Sequence, residues 1–221
     1  MTSLYFRYIQ DNFLMLTTKK TDLTFEQLSD NISKELKINN LNTVLLKQIH
    51  SNNVLYTNSS GFYEDYDGIV VDRISNLVPV IATADCIPLF IYDTVNGLYG
   101  IIHCGWRGVV SKIHLKALKI FFDKNSKIEN IRIYLGPSIQ GCCYEIGEEI
   151  VDNFHKDSIS NLNGKLYLNL FKEISSDFFI LGFKENNIKY SDICTYENNE
   201  CYSYRRNNKN KGRMYSMMIK I

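Results

Sequence analysis

A chain of 221 residues, 45% hydrophobic and 22% charged, has ordinary globular composition and enough length to bury a sizeable core. Lys+Arg total 25 against 24 for Asp+Glu, a net charge of +1. This excludes a global field that would recruit nucleic acid or an anionic membrane surface, so any partner is recognised locally.

The opening MTSLYFRYIQDNFLML breaks its apolar stretch with charged and polar residues, unlike a signal peptide, and no later window approaches a membrane span. A cytoplasmic location follows as the expectation. There the six cysteines read as thiols, ligands or nucleophiles rather than disulfides, and the adjacent Cys142 and Cys143 as small buried hydrophobes. Two short strands, LYFRYI and FLMLTT, come first. A helix over 24–37 follows, with Leu28, Ile32 and Leu36 four apart and Thr24 as N-cap.

TVLLKQIH reads as a strand. The β-branched and aromatic runs DGIVVD, VPVIATADCIPLFIYD and LYGIIHC make 67–103 strand-rich, a meander or part of a mixed sheet. After Arg107 the spacing turns helical, with Val109, Ile113, Ala117, Ile120 and Phe121 on one stripe. HCGWRG is therefore a strand, a glycine-flanked turn and a helix start, where backbone N–H groups beside Arg107 suit an anion. Then come a strand NIRIYLG, a loop PSIQGCC whose Gly136, Pro137 and Gly141 suit close approach of backbone to ligand, and helices from about Tyr144 and near 170–183. RMYSMMIKI closes the chain as a strand. With three prolines, no repeat and no linker-like tract, residues 1–221 read as one α/β domain.

Four histidines are present, and the pattern sorts them. His50 and His103 end predicted strands, where an α/β sheet presents ligands, whereas His114 and His155 fall in predicted helices. Cys86, at a strand junction between His50 and His103 in sequence, completes a set of two imidazoles and one thiol. Three protein ligands with an open fourth position describe a catalytic zinc, whose bound water has a pKa near about 7. Spacing alone leaves this reading open beside that of two buried histidines and an inert cysteine, because no CxxC or HExxH is present.

Arginine supplies the second constellation: Arg107 on the glycine turn, and Arg205 and Arg206 after the aromatic stretch CYSY. Guanidinium groups recognise phosphate bidentately, and Arg206, next to buried-type aromatics, is the better candidate of the pair. Lys209 and Lys211 read as a solvated loop. The sole tryptophan, Trp106, either stacks on a planar substrate or caps the core.

In order, KQIHSNNV, DGIVVD, ATADCIPLF, HCGWRGVV, LGPSIQGCCYEIGEEI, ICT and YSYRR with KGR resemble the laccase-domain (polyphenol oxidase-like) purine nucleoside phosphorylase family over roughly 42–221. The resemblance implies a layered α/β/β/α sandwich with mixed sheets, and zinc held by His50, Cys86 and His103. It also implies phosphorolysis of adenosine, inosine, guanosine and methylthioadenosine to base and sugar 1-phosphate, together with deamination of adenosine. On that reading Cys86, His50, His103 and Arg107 are catalytic, and Arg107, Arg206, Gln48 and Trp106 bind substrate or phosphate. Two departures stand out: Cys104 where many members carry alanine, placing a second thiol beside the metal ligands, and Arg7 without the glycine-rich loop that commonly follows the family's arginine.

Nucleobase deaminases place Glu two residues after a ligand His, but here Asn52 stands there, leaving Glu145 and Asp85 as candidates for the proton shuttle. Three other readings compete. One is a copper phenol oxidase, in which His2Cys would hold a single copper although four histidines cannot build a multicopper cluster. Another is an amide hydrolase acting on peptide or cell-wall fragments through a Cys86 nucleophile. The last is a nucleoside- or partner-binding module with a structural zinc whose fourth ligand is Cys104.

Overall fold

The computed structural model describes residues 3–38, 41–72, 76–207 and 212–221; Lys209 and Lys211 lie outside them. Two six-stranded mixed sheets stack face to face. One runs β1 (Tyr5–Gln10), β2 (Phe13–Thr18), β15 (Met214–Lys220), β7 (Val78–Thr83), β3 (Thr43–Lys47), β5 (Gly61–Glu64). The other runs β14 (Ile188–Tyr190), β10 (Ile131–Leu135), β8 (Ile87–Asp93), β9 (Leu98–Cys104), β6 (Gly68–Asp72), β4 (Val54–Tyr56). Helix α1 (Phe25–Leu36) covers the outer face of the first sheet, and α2 (Trp106–Val110), α3 (Ile113–Asp123) and α4 (Leu170–Ile180) cover that of the second.

This is the expected α/β/β/α sandwich, and its three cores explain the sequence pattern. Met15, Ile69, Phe90, Tyr99 and Ile101 fill the space between the sheets; Ile87, Ile102, Val109 and Phe178 pack the second sheet on its helices; Leu14, Leu16, Leu28 and Met217 pack the first sheet on α1. Strands covered on both faces lose polar alternation, which is why FLMLTT and LYGIIHC are buried along their whole length. Gly100 belongs to the same packing, since a Cβ there would meet the Ile69 carbonyl oxygen at 2.2 Å.

Local rules hold where the chain is autonomous. Thr24 caps α1 in a full capping box with Gln27, and Lys37 ends the helix in the left-handed conformation. Four expectations are refined or corrected. The run VPVIATADCIPLFIYD belongs to mixed sheets, one of its two expected settings, and not to a single meander, because it splits at Ala84–Asp85–Cys86 and sends β7 to one sheet and β8 to the other. The stripe after Arg107 is two helices, broken at Lys112 (φ 58°), and Ile120 is only half-buried.

No α-helix starts near Tyr144. Glu145–Ile146 instead forms a short strand, β11, which pairs with β13 (Lys165–Leu168) in a three-stranded sheet completed by β12 (Ile159–Leu162), and 148–153 is a 3₁₀ turn. The strand pairing overrides local helical preference. His155 accordingly caps a short 3₁₀ turn over 156–158 rather than lying in a helix. Among the described residues no helix is long and apolar enough to cross a membrane.

Candidate active site

The break between β7 and β8 places Cys86 beside the end of β9, which carries His103, and the loop after β3 swings His50 over both. One ligand atom from each lies within 4.8 Å of the other two. His50 and His103 meet edge to face at 4.8 Å between ring centroids. The backbone at this junction is held in unusual conformations, with His50 at φ 59° and Asp85 at φ 83°. Such left-handed non-glycine residues persist only where their surroundings over-determine them.

Asp67 does much of the over-determining. Fully buried at the head of β6, its carboxylate accepts from the backbone N–H groups of Ile49, His50 and Ser51 at 3.3, 3.0 and 2.6 Å and from the Ser51 hydroxyl at 2.8 Å. The same carboxylate pairs with His103 Nδ1 at 2.8 Å, which leaves Nε2 for the cavity side. One side chain thus orients both imidazoles, one through its ring and the other through its loop. At the other end of that loop Gln48 pairs both ends of its amide with the backbone of Ala82, at 2.7 and 3.0 Å. Gln48 also lines the cavity, so this bridge fixes its amide at the cavity wall while using one of its two N–H donors and one of its two carbonyl lone pairs.

Electrostatics follow from the geometry. Burial pushes the Cys86 thiol up, but the adjacent His103 and His50 outweigh it and bring it down to about 6. For His103 burial favours the neutral ring, and the Cys86 sulfur and Asp67 carboxylate prevail, raising it to about 9. Burial also acts against the Asp67 carboxylate, whose hydrogen bonds from His103 and Ser51 hold it down at about 2. A thiol poised to ionise and two imidazoles match the donor set of a His2Cys metal centre, with a buried carboxylate behind them that already orients the rings. Gly105 gives it room, since a Cβ there would stand 3.1 Å from Cys86 Sγ and 3.3 Å from His50 Cδ2. The residues fit a thiophilic divalent ion.

These groups line a cavity of about 730 Å³, in the range of small-molecule sites. Arg107 reaches it with its guanidinium 4.4 Å from the Trp106 ring centroid, and Trp106 both packs on the core and faces the cavity. Arg205 and Arg213 line it as well, Arg205 standing 5.5 Å over the Tyr144 ring and donating to the Glu145 carbonyl at 2.7 Å.

Arg206 is not brought there. Its guanidinium donates to the carbonyls of Thr195, Tyr196, Asn198 and Cys201, so it clamps a loop, and Arg205 takes the place expected for it. Asp85 borders the cavity, but its carboxylate already accepts from Thr195, Ser203 and the Arg205 N–H at 2.6, 3.0 and 2.7 Å. Glu145 pairs with Lys165 at the surface. Neither is placed as a proton shuttle.

Cys104 points to the opposite face of β9, into the core between sheet and helices, where burial raises its thiol well above the ordinary range; it is not a fourth ligand. Arg7 pairs with Glu35 of α1, away from the cavity. Asp67, Tyr144 and Arg213 were not singled out by sequence reasoning. Asp67 alone carried a signal, as an ionisable residue directly ahead of the apolar run 68–71.

A family model described as multi-copper polyphenol oxidoreductase laccase matches residues 16–220. The chain belongs to this family. It is 33% identical over 232 residues to a purine nucleoside phosphorylase of Clostridium acetobutylicum, covering 98% of this chain and 95% of that one. It is 30% identical over 157 residues to the adenosine deaminase RL5 of an unknown prokaryotic organism, covering 66% and 60%. Among solved structures, YlmD from Geobacillus stearothermophilus superposes with a TM-score of 0.85 at 19% identity, covering 95% and 92%, and so shares the family's fold.

Proposed function

We propose that residues 1–221 form one catalytic domain that cleaves purine nucleosides with phosphate and deaminates adenosine, using zinc held by His50, Cys86 and His103. The observation that carries this reading is the convergence on one cavity of the His2Cys donors with Arg107 and Arg205 and the rings of Trp106 and Tyr144. The near full-length similarity to a purine nucleoside phosphorylase supports the substrate class.

When bound, the ion supplies Lewis-acid polarisation to a reacting water or to the purine. The chain's own residues do the rest. Arg107 and Arg205 hold phosphate against the ribose, where the phosphate's negative charge offsets the positive charge that develops on the sugar as the glycosidic bond lengthens. Trp106 and Tyr144 present ring faces against which a purine stacks. His103, fixed through Nδ1 by Asp67, and His50, fixed through its loop, keep the donors in place without reorganisation. The six free thiols suit a reducing, cytoplasmic setting. Copper in the same donor set is the alternative ion, but His114 and His155 lie outside this cluster, so no multicopper array is assembled among the described residues.

A second reading has its own observation. Asp67, His103 and Cys86 stand in the order carboxylate, base and thiol, which also describes a nucleophilic cysteine acting on amides. It leaves His50 without a role. The deciding experiment follows products from adenosine by mass spectrometry on zinc-loaded protein, with and without phosphate, beside Cys86→Ala and a metal-stripped sample. Phosphate-dependent adenine and ribose 1-phosphate, or phosphate-independent inosine, lost in both controls, is expected. Unchanged adenosine with zinc confirmed bound overturns the proposal, and a covalent Cys86 adduct that survives metal removal favours the amide hydrolase.

A further inference from the structure

Beyond the cavity, a second set of soft donors converges where two loops cross. Cys142 and Cys143 stand in the loop that follows β10, Cys194 in the loop that follows β14, and Glu197 three residues further on. One ligand atom from each of the four lies within 4.8 Å of the other three, and the two adjacent sulfurs are 3.1 Å apart. Cys194 is buried and Cys143 half-buried, whereas Cys142 and Glu197 face solvent, so the pocket has both a floor and an open mouth. We propose that Cys142, Cys143, Cys194 and Glu197 bind a second, structural zinc that fastens these two loops together.

The donor set argues for the ion and for its role. Three thiolates and a carboxylate make four protein ligands, which close a tetrahedron, whereas His50, Cys86 and His103 leave a position open. Sulfurs around a tetrahedral zinc stand about 3.8 Å apart, given a Zn–S bond of about 2.3 Å, and the four donors already cluster on that scale. Binding displaces the three thiol protons to solvent and needs no oxidant.

The frame beneath the donors is built without the ion. Ser138 and Cys194 pair as a parallel bridge, and the Thr195 N–H donates to the Ser138 carbonyl at 3.0 Å. The Cys194 carbonyl in turn accepts from the Asn198 N–H at 2.9 Å, and the Arg206 guanidinium gathers the carbonyls of Thr195, Tyr196, Asn198 and Cys201. This assigns the double arginine two separate tasks: Arg205 serves the cavity, and Arg206 shapes the loop that carries Cys194 and Glu197.

A fastening here has a consequence at the cavity. The first loop supplies Ile139 and Tyr144 to its wall, and the segment continuing from the second supplies Tyr204 and Arg205. The second zinc is therefore a positioning element that touches no substrate. The proposal does not depend on the nucleoside reading, because it concerns donors outside the cavity.

The test uses full-length Cys86→Ala protein, which silences the first site, grown with added zinc and purified under a thiol reductant. Elemental analysis is expected to find about one zinc per chain, and cadmium exchange to produce a thiolate-to-cadmium absorption band. Adding Cys142→Ser and Cys194→Ser is expected to abolish both. If that variant does not fold, Glu197→Gln, at the surface, should weaken zinc binding about tenfold with an unchanged circular dichroism spectrum. A metal-free Cys86→Ala protein without a cadmium–thiolate band overturns the proposal. So does an intact mass short by two hydrogens that only reduction restores, since the pocket would then be a disulfide.

Discussion

Two buried clusters in this protein set histidine against carboxylate, and they end in opposite conditions. At the cavity, Asp67 engages His103 through Nδ1 and braces the His50 loop, leaving donor atoms turned toward Cys86 and open space. Against the helix layer, Asp177 of α4 takes Lys112 at 2.7 Å and His114 at 2.8 Å, while His155 lies at 3.4 Å from the same carboxylate and at 3.8 Å from Glu173. Every charge there is answered by another side chain, and His114 turns its remaining nitrogen into a core that offers it no hydrogen-bond partner. The difference lies in what the second imidazole nitrogen meets. A histidine whose far nitrogen faces a cavity and a thiol is available for chemistry, and one whose far nitrogen faces apolar core only holds helices together.

The sharpest contrast comes from removing one histidine at the cavity. His50 is exposed, so His50→Ala should leave the melting temperature nearly unchanged. It should cost at least about 10³-fold in kcat/KM for the nucleoside, the scale of losing several kcal/mol of Lewis-acid stabilisation. Retained activity with the zinc content unaltered would break the comparison at its first term. The converse test is Asp177→Ala, which strands the buried His114 and the half-buried Lys112. A loss of about 3 kcal/mol in denaturant unfolding is expected, at the low end for breaking a buried pair because Glu173 remains nearby, with kcat/KM per folded molecule preserved. A comparable loss of activity at temperatures where the variant is folded would mean the helix layer is not merely structural.

Asp67 connects the two behaviours, since it is as buried as the helix-layer acids yet serves the cavity. Asp67→Asn keeps the shape but returns one hydrogen-bond donor where acceptors are needed. Zinc affinity should fall about 10- to 100-fold by competition with a chelator, as for other carboxylates that hydrogen-bond a ligating imidazole. Unchanged affinity would show that loop strain at His50, rather than Asp67, positions the donors.

Much of this was legible in the chain, and the limits have physical reasons. The strands and the helix over 25–36 followed from periodicity and an N-cap threonine, because those elements bury a face or satisfy their ends locally. The three candidate metal donors could be picked from strand ends and from motif resemblance. Arg206 was harder to place because residue type shows what a side chain can bind and not what it has already bound: its guanidinium is taken by four carbonyls. In a loop with no periodicity nothing distinguishes Arg205 from its neighbour. The strand at Glu145–Ile146 was hidden for a related reason, since its partner in β13 is set by a contact twenty residues away in sequence.

The smallest effect expected is a pH dependence, and it also separates the clusters. Burial lowers the pKa of His114 below that of the free side chain despite Asp177. On acidification the unfolded chain therefore takes up this proton first, and stability falls as pH drops below about 6.5. The depressed Asp177 carboxyl acts in the same direction further down, its contribution being lost as pH falls from about 4 toward its folded value. At the cavity the shifts oppose one another. Raised His103 contributes stability that is lost as pH rises through about 9, and depressed Cys86 contributes stability that is lost as pH falls through about 6. Between about 6.5 and 8.5 the folded pair carries one proton, on the imidazole, and the unfolded pair also carries one, on the thiol, so the cavity adds almost no slope there. Urea unfolding of metal-free protein between pH 7 and 5 should show His114→Gln with a shallower loss of stability than wild type. Parallel curves would mean that His114 keeps its proton balance on unfolding, and the helix-layer histidine would then need a different account from burial.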